Sequence, residues 1–136
     1  MAKLRHIAIM VPNPEETAKF FINTFGMEQV GTTESPLSTG VFLSDGTINL
    51  AVLNFKNDEA AGVPGGKDMV CINHMGFWVD DLDDIDKQIK DNGGDLMLGL
   101  PDDPEDRKEL FYEVKYKTPD GIIVDVSANG WIGASL

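Results

Sequence analysis

The sequence predicts an α+β fold made of two tandem βαβββ modules. A strand, helix, strand, strand, strand order can be read twice along the 136 residues. Each copy opens on a strand that carries one of the chain's two histidines, and each helix closes on glycine. Self-similarity of this length constrains the whole chain more than any single motif does.

The first strand is RHIAIMV, Arg5 to Val11, rich in β-branched residues and closed by a Pro-Asn-Pro cluster that cannot continue a ladder. PEETAKFFINTF, Pro14 to Phe25, has proline at the first helical position and acids in the first turn. Its apolar residues Ala18, Phe21, Ile22 and Phe25 lie at helical spacing before Gly26. MEQVGTTE, TGVFLSD and TINLAVLNF follow as extended runs, the last two joined by an Asp45-Gly46 turn. Residues 56–67 mix charge, glycine and proline without period and read as a linker or loop. The pattern then restarts. INHMGFWV is a strand, and LDDIDKQIKDNGG is a helix with Leu82, Ile85 and Ile89 on one face, its start capped by the surrounding acids. DLMLGL, LFYEVKY and GIIVDVS complete the second module, with Thr118-Pro119-Asp120-Gly121 as the turn before the last strand. The expected layout is module one over 4–55, linker 56–70, module two over 71–127 and a tail over 128–136.

Composition narrows the partners. With 23 acidic against 11 basic residues the formal charge is −12, which repels nucleic acid and anionic membranes. Small molecules and other proteins remain. No run approaches the ~20 apolar residues that span a bilayer, the opening Met-Ala-Lys leads straight into a strand, and Cys71 has no second cysteine to pair with. A cytoplasmic protein is the expectation.

Asp125 raises the chemical question. It sits inside the apolar run Ile122, Ile123, Val124, Val126, where a carboxylate is costly to bury unless a positive group meets it. A lone strand histidine is most often structural. His6 and His74, however, lie 68 residues apart at the same place in the repeat. If the two first strands meet, both imidazoles face one concavity. Two histidines and one carboxylate are a ligand set for a divalent metal with open positions.

The duplicated order, the HIAIMV and HMGFWV strand starts and TPDGIIVDVS resemble the vicinal oxygen chelate superfamily, over nearly the whole chain from Leu4 to about Ser127. That superfamily includes glyoxalase I, bleomycin resistance proteins, methylmalonyl-CoA epimerase and type I extradiol dioxygenases. The resemblance implies a cupped mixed sheet around a divalent ion (Fe, Mn, Ni, Co or Zn) and, with the apolar tail, a homodimer. His6 and His74 match the histidine ligands, and Asp125 matches the usual glutamate. Asn49 stands at the position read as the fourth, Glu or Gln, ligand.

The chemistry so implied is a lyase or isomerase, glyoxalase- or epimerase-like, acting through a metal-chelated enolate of a small oxygenated substrate. Asn49 cannot act as a base, which leaves Asp125 itself or Glu113; Glu113 and Lys115, which share parity, are the candidate catalytic pair, with Lys115 suited to an anionic substrate group. YEVKYK also reads as a solvated, alternating strand face. Strand alternation turns Tyr116 away from the cup. The alternatives are an extradiol-type Fe(II) dioxygenase, for which a third histidine is missing, and a non-catalytic drug-binding protein lined by Phe77, Trp78, Phe111, Tyr112 and Trp131. The loop Pro101–Glu109 reads as a solvated connection or a lid. Trp131 and Ile132 can dock on a second subunit or on their own chain.

Overall fold

The computed structural model describes residues 1–98, 106–108 and 112–136. Its strands are β1 (Lys3–Met10), β2 (Glu28–Glu34), β3 (Ser38–Ser44), β4 (Asn49–Phe55), β5 (Cys71–Trp78), β6 (Asp95–Leu98), β7 (Val114–Lys117) and β8 (Ile123–Ser127). The helices are α1 (Pro14–Phe25), α2 (Asp58–Ala61) and α3 (Leu82–Asp91). All eight strands form one mixed sheet in the order β2-β3-β4-β1-β5-β8-β7-β6. The fold is therefore α+β, as the sequence predicts.

The sheet is symmetric about its centre. β1 and β5 pair antiparallel, and each pairs in parallel with the last strand of its own module, β4 or β8. Alternation then sorts the side chains. On β1, Ile7 and Ile9 face α1, where they pack with Ala18, Phe21, Ile22 and Val52. His6, Ala8 and Met10 face the opposite side, with Ala8 and Met10 packed against Ala51, Leu53 and Phe55. In module two Phe77, Val114, Tyr116 and Val126 pack around Ile85 and Ile89 of α3. Tyr116 is on the helix side as alternation requires, and Glu113, Lys115 and Asp125 point the other way, toward His6 and His74.

Local chemistry sets the helix ends. The Asn13 side-chain oxygen accepts from the Glu16 amide and the Asp81 carboxylate accepts from that of Asp84, each satisfying an otherwise orphaned N-terminal donor. Gly26 ends α1 at φ 69°, a left-handed value that costs glycine little.

Several expectations need adjusting. β1 begins at Lys3, so both histidines sit mid-strand. The 56–70 linker is ordered locally: Asn57 caps the short α2, and a 3₁₀ turn spans Gly66–Asp68. Of the strand expected over 110–116, β7 occupies Val114 onward. Phe111 and most of the Pro101–Glu109 loop lie outside the described residues. Among those described, no helix is long and apolar enough to cross a membrane.

The tail packs on its own chain. Trp131 is buried, Ser44 Oγ donates to the Gly133 carbonyl at 2.7 Å, and the Ser135 amide donates to the Thr47 carbonyl at 3.1 Å. The segment that follows module two thus closes over the β3–β4 end of module one.

Tyr116 joins β7 to α3: its hydroxyl donates to Asp86 Oδ1 at 2.8 Å. Hydrogen bonds from Lys90 and Tyr116 hold the Asp86 carboxyl below its ordinary 3.8. Tyr116→Phe is expected to lower unfolding stability at pH 7 by about 1–2 kcal/mol in urea titration. Because the folded-state pKa is depressed, that contribution is present above pH 3.8 and is lost as pH falls through the folded value. The two proteins should therefore converge in stability toward pH 2.

Candidate metal centre

β1 and β5 bring the histidines together by their register. His6 lies opposite Gly76 and His74 lies opposite Ala8, so each imidazole faces a small residue across the ladder. Gly76 is required by space: a Cβ there would lie 2.8 Å from the Trp131 ring and 2.9 Å from the His6 Cβ. Trp131 stacks on His6 with centroids 4.8 Å apart and planes 6° from parallel.

The protonation state of both rings follows from their partners. His6 Nδ1 lies 2.7 Å from Asn49 Oδ1, and the Asn49 amide nitrogen donates to the Ile132 carbonyl at 2.9 Å. His74 Nδ1 lies 2.7 Å from Asn73 Oδ1, and the Asn73 amide nitrogen donates to the Ala61 carbonyl at 2.8 Å. Carbonyl partners fix which end of each amide faces its imidazole. An amide oxygen only accepts, so both Nδ1 atoms carry the proton. Burial lowers the pKa of both rings, that of His74 well below its usual 6.5 with the Lys115 charge adding to the effect. Both are neutral, and both Nε2 lone pairs are bare.

Those two lone pairs face each other at 3.0 Å. Two acceptors at that distance repel unless something positive lies between them. His74 Nε2 is also 3.1 Å from Asp125 Oδ2, and the ligand atoms of His6, His74 and Asp125 all lie within 4.8 Å of one another. Asp125 is fully buried, and its Oδ1 has no hydrogen-bond partner among the described residues. Donors at ~2.1 Å from one metal and at right angles to each other lie ~3.0 Å apart. The two spacings match that value, and the donor set fits a divalent cation.

The carboxylate has a second partner, a lysine, which is the pairing that competes with metal ligation by Asp125. Lys115 Nζ lies 2.5 Å from Asp125 Oδ2 and 3.3 Å from Glu113 Oε1, and Glu113 Oε2 accepts from Trp131 Nε1 at 2.8 Å. Glu113 and Lys115 are therefore inward, with side chains 28% and 17% exposed, and the solvated-face reading does not hold for them. Burial works to raise the Glu113 carboxyl, but the Lys115 ammonium and the Trp131 N–H overcome it and hold Glu113 below the usual carboxylate range. Burial likewise opposes the Lys115 charge, and the two acids reverse that and raise its pKa. Burial, with Glu113 as like-charged neighbour, pushes Asp125 well above the usual carboxylate range. A bound cation would reverse that last shift.

Asn49 occupies a different place from the one expected. Its oxygen is engaged on the Nδ1 side of His6, away from the converging Nε2 atoms, so it orients the His6 ring rather than joining the candidate ligands. Register also corrects the alignment. Asp125 pairs with Gly76 and Asn49 pairs with His6, so the module-one counterpart of Asp125 is Ala51, which pairs with Ala8. Among the described residues the candidate ligand set has three members. Asn73 was not anticipated, because alternation sends neighbours to opposite faces. A register shift between β1 and β5 at Ala8/Ile9 disturbs the ladder where Asn73 lies.

The centre lies on a cavity of about 230 Å³ that Ala51, Leu53, Glu113, Lys115 and Trp131 help to line. A duplicated βαβββ chain with paired histidines and a carboxylate over an open cavity defines a class of metal-site proteins. Residues 3–126 match the Glyoxalase/Bleomycin resistance protein/Dioxygenase superfamily, and the chain belongs to it. Solved structures share the fold. A methylmalonyl-CoA epimerase in complex with methylmalonyl-CoA is 20% identical with a TM-score of 0.71, covering 97% of this chain and 99% of its own. The Streptomyces coelicolor methylmalonyl-CoA epimerase is 21% identical with a TM-score of 0.70, covering 93% and 97%. A hypothetical protein from Bacillus halodurans is 17% identical with a TM-score of 0.71, covering 92% of each chain. No curated protein matches in sequence.

Two substitutions test the centre. Lys115→Met removes the ammonium that competes for Asp125, and calorimetric titration should show divalent-metal affinity rising by on the order of tenfold. Asn49→Leu strands the buried His6 Nδ1–H and should cost about 1–3 kcal/mol of stability. The same variant should lower metal affinity by about 10–100-fold.

Proposed function

We propose that this protein is a divalent-metal-dependent isomerase or lyase that moves a proton at a carbon beside a carbonyl of a small oxygenated molecule. The observation that carries this is the pairing of three convergent lone-pair donors with a carboxylate–ammonium pair in one cavity. His6, His74 and Asp125 would hold the metal. Its contribution when bound is to polarise substrate oxygens and so acidify the neighbouring C–H.

The chain's own groups supply the rest. Glu113 is ionised and lines the cavity, so it accepts the proton. Its depressed pKa makes it a weak base, suited only to carbon whose acidity has been raised. Lys115 keeps Glu113 ionised and offers an N–H to substrate oxygen, while Trp131 fixes the carboxylate from the other side and stacks on His6. Asn49 and Asn73 hold both imidazoles with their Nε2 atoms converging, where they would hold a cation. The family and the epimerase neighbours agree with an isomerase.

A second reading has one observation in its favour. With Ala51 in place of a fourth ligand, two histidines and one carboxylate leave open positions of the kind used by Fe(II) oxygenases.

The test is solvent-deuterium exchange into a panel of 2-hydroxyketones and 2-hydroxy acids by the metal-loaded protein, followed by NMR. Exchange is expected, and Glu113→Gln should slow it by about 10²–10⁴-fold with metal still bound. Oxygen uptake by the Fe(II)-loaded protein without exchange would establish the oxygenase reading. A protein that binds no divalent metal would leave only a binding role.

A further inference from the structure

We infer that residues 130–135 form a strap that seats as one unit, and that its seating orients two groups of the site together, the His6 ring and the Glu113 carboxylate. The effect on reaction rests on the isomerase or lyase reading above; the coupling of the two groups does not.

Consecutive residues of the strap reach the two groups. Trp131 Nε1 donates to Glu113 Oε2 at 2.8 Å. The Ile132 carbonyl accepts at 2.9 Å from the Asn49 amide nitrogen, and the Asn49 oxygen accepts in turn from His6 Nδ1 at 2.7 Å. One planar peptide joins Trp131 to Ile132, so neither can shift without the other. Both groups are therefore set from a single length of backbone.

The outer side of the strap is latched to the β3–β4 turn and to β1. Ser44 Oγ donates to the Gly133 carbonyl at 2.7 Å, and the Ser135 amide donates to the Thr47 carbonyl at 3.1 Å. Ser135 Oγ donates to the Gly46 carbonyl at 2.8 Å, and Arg5 Nε donates to the Ser135 carbonyl; these last two bonds are exposed, where water can replace either partner. Gly133 has φ 75°, and a Cβ there would lie 2.6 Å from the Ser44 Cβ, so the latch closes only around glycine. Among the described residues, the three apolar clusters include none after Ala128. The strap can thus leave its seat while the core of each module stays closed, which is a local opening and not global unfolding.

Unseating changes both groups. Glu113 loses the indole N–H and keeps Lys115. Asn49 loses the carbonyl that fixes which end of its amide faces His6. With that amide turned over, its NH₂ faces Nδ1 and the His6 proton passes through solvent to Nε2. The Nε2–H then donates across the 3.0 Å gap to His74 Nε2, and the point where the lone pairs converge is closed by a bond within the protein.

The experiment is hydrogen exchange of two side-chain protons in the metal-free full chain, followed by NMR: the Trp131 indole N–H and the His6 Nδ1–H. If one opening exposes both, any variant that loosens the strap lowers both protections by the same factor. Gly133→Val alters neither Trp131 nor His6, puts a β-branched residue at a left-handed φ and drives its Cβ into Ser44. It is expected to lower both protections by about tenfold or more, to move the His6 proton to Nε2 in the ¹⁵N spectrum, and to leave the β1 and β5 amides protected. Ser44→Ala, which removes one latch bond, is expected to lower both by a smaller, equal factor, and it carries the test if Gly133→Val does not fold. Unequal factors, no change in either proton, or a displaced strap with His6 still protonated at Nδ1 overturns the inference. In Mn²⁺ titration and deuterium-exchange assays the same variants should lose metal affinity and exchange together. A wild-type protein that binds no Mn²⁺ overturns the function proposed above and leaves the NMR result to decide the strap.

Discussion

Two buried imidazoles that each give their Nδ1 proton to an asparagine carbonyl, and so turn bare Nε2 atoms on each other at 3.0 Å, are the constraint around which this molecule is arranged. The contact is repulsive between neutral rings and becomes favourable only around a positive charge. Everything that fixes it is structural. The antiparallel β1–β5 seam sets the separation, and Ala8 and Gly76 leave the room. Ile132 and Ala61 carbonyls lock the amides that lock the rings. A side chain free to rotate would relieve the repulsion by turning away, and burial on both flanks prevents it.

The acidic side of the centre obeys the same logic. Asp125 and Glu113 cannot both remain charged beside one another in a buried cavity without a cation, and Lys115 serves both. Its ammonium is placed against Asp125 and not between the imidazoles, so it answers the carboxylates without answering the lone pairs. That division separates two groups: the lone pairs of His6, His74 and Asp125 converge on one point and could hold an added ion, while the Glu113–Lys115 pair is complete without one. Trp131 binds the two halves of the arrangement, one edge bonded to Glu113 and one face against His6.

Much of this was legible in the sequence because it depends on period and repetition. The doubled βαβββ order, the paired histidines and the misplaced carboxylate Asp125 are visible as pattern, and so is the outward turn of Tyr116. What was not legible depends on register. Asn49 looks like a fourth ligand by its place in β4, and only its pairing with His6 shows that Ala51 holds the equivalent position. Asn73 is hidden because an undisturbed strand would send it away from its neighbour His74. Lys115 and Glu113 lie in an alternating polar run that an exposed strand would also produce, and no local signal says which face the sheet will cover. Trp131 reads as an apolar tail residue until the tail is seen to fold back across the chain.

That tail makes the two repeats unequal. His74 takes its orienting amide from the residue beside it, whereas His6 depends on Asn49, which depends in turn on a carbonyl contributed after the end of the other repeat. With the Ile132 carbonyl holding Asn49, the orientation of the first module's histidine depends on the tail that follows the second, and the two halves are no longer interchangeable.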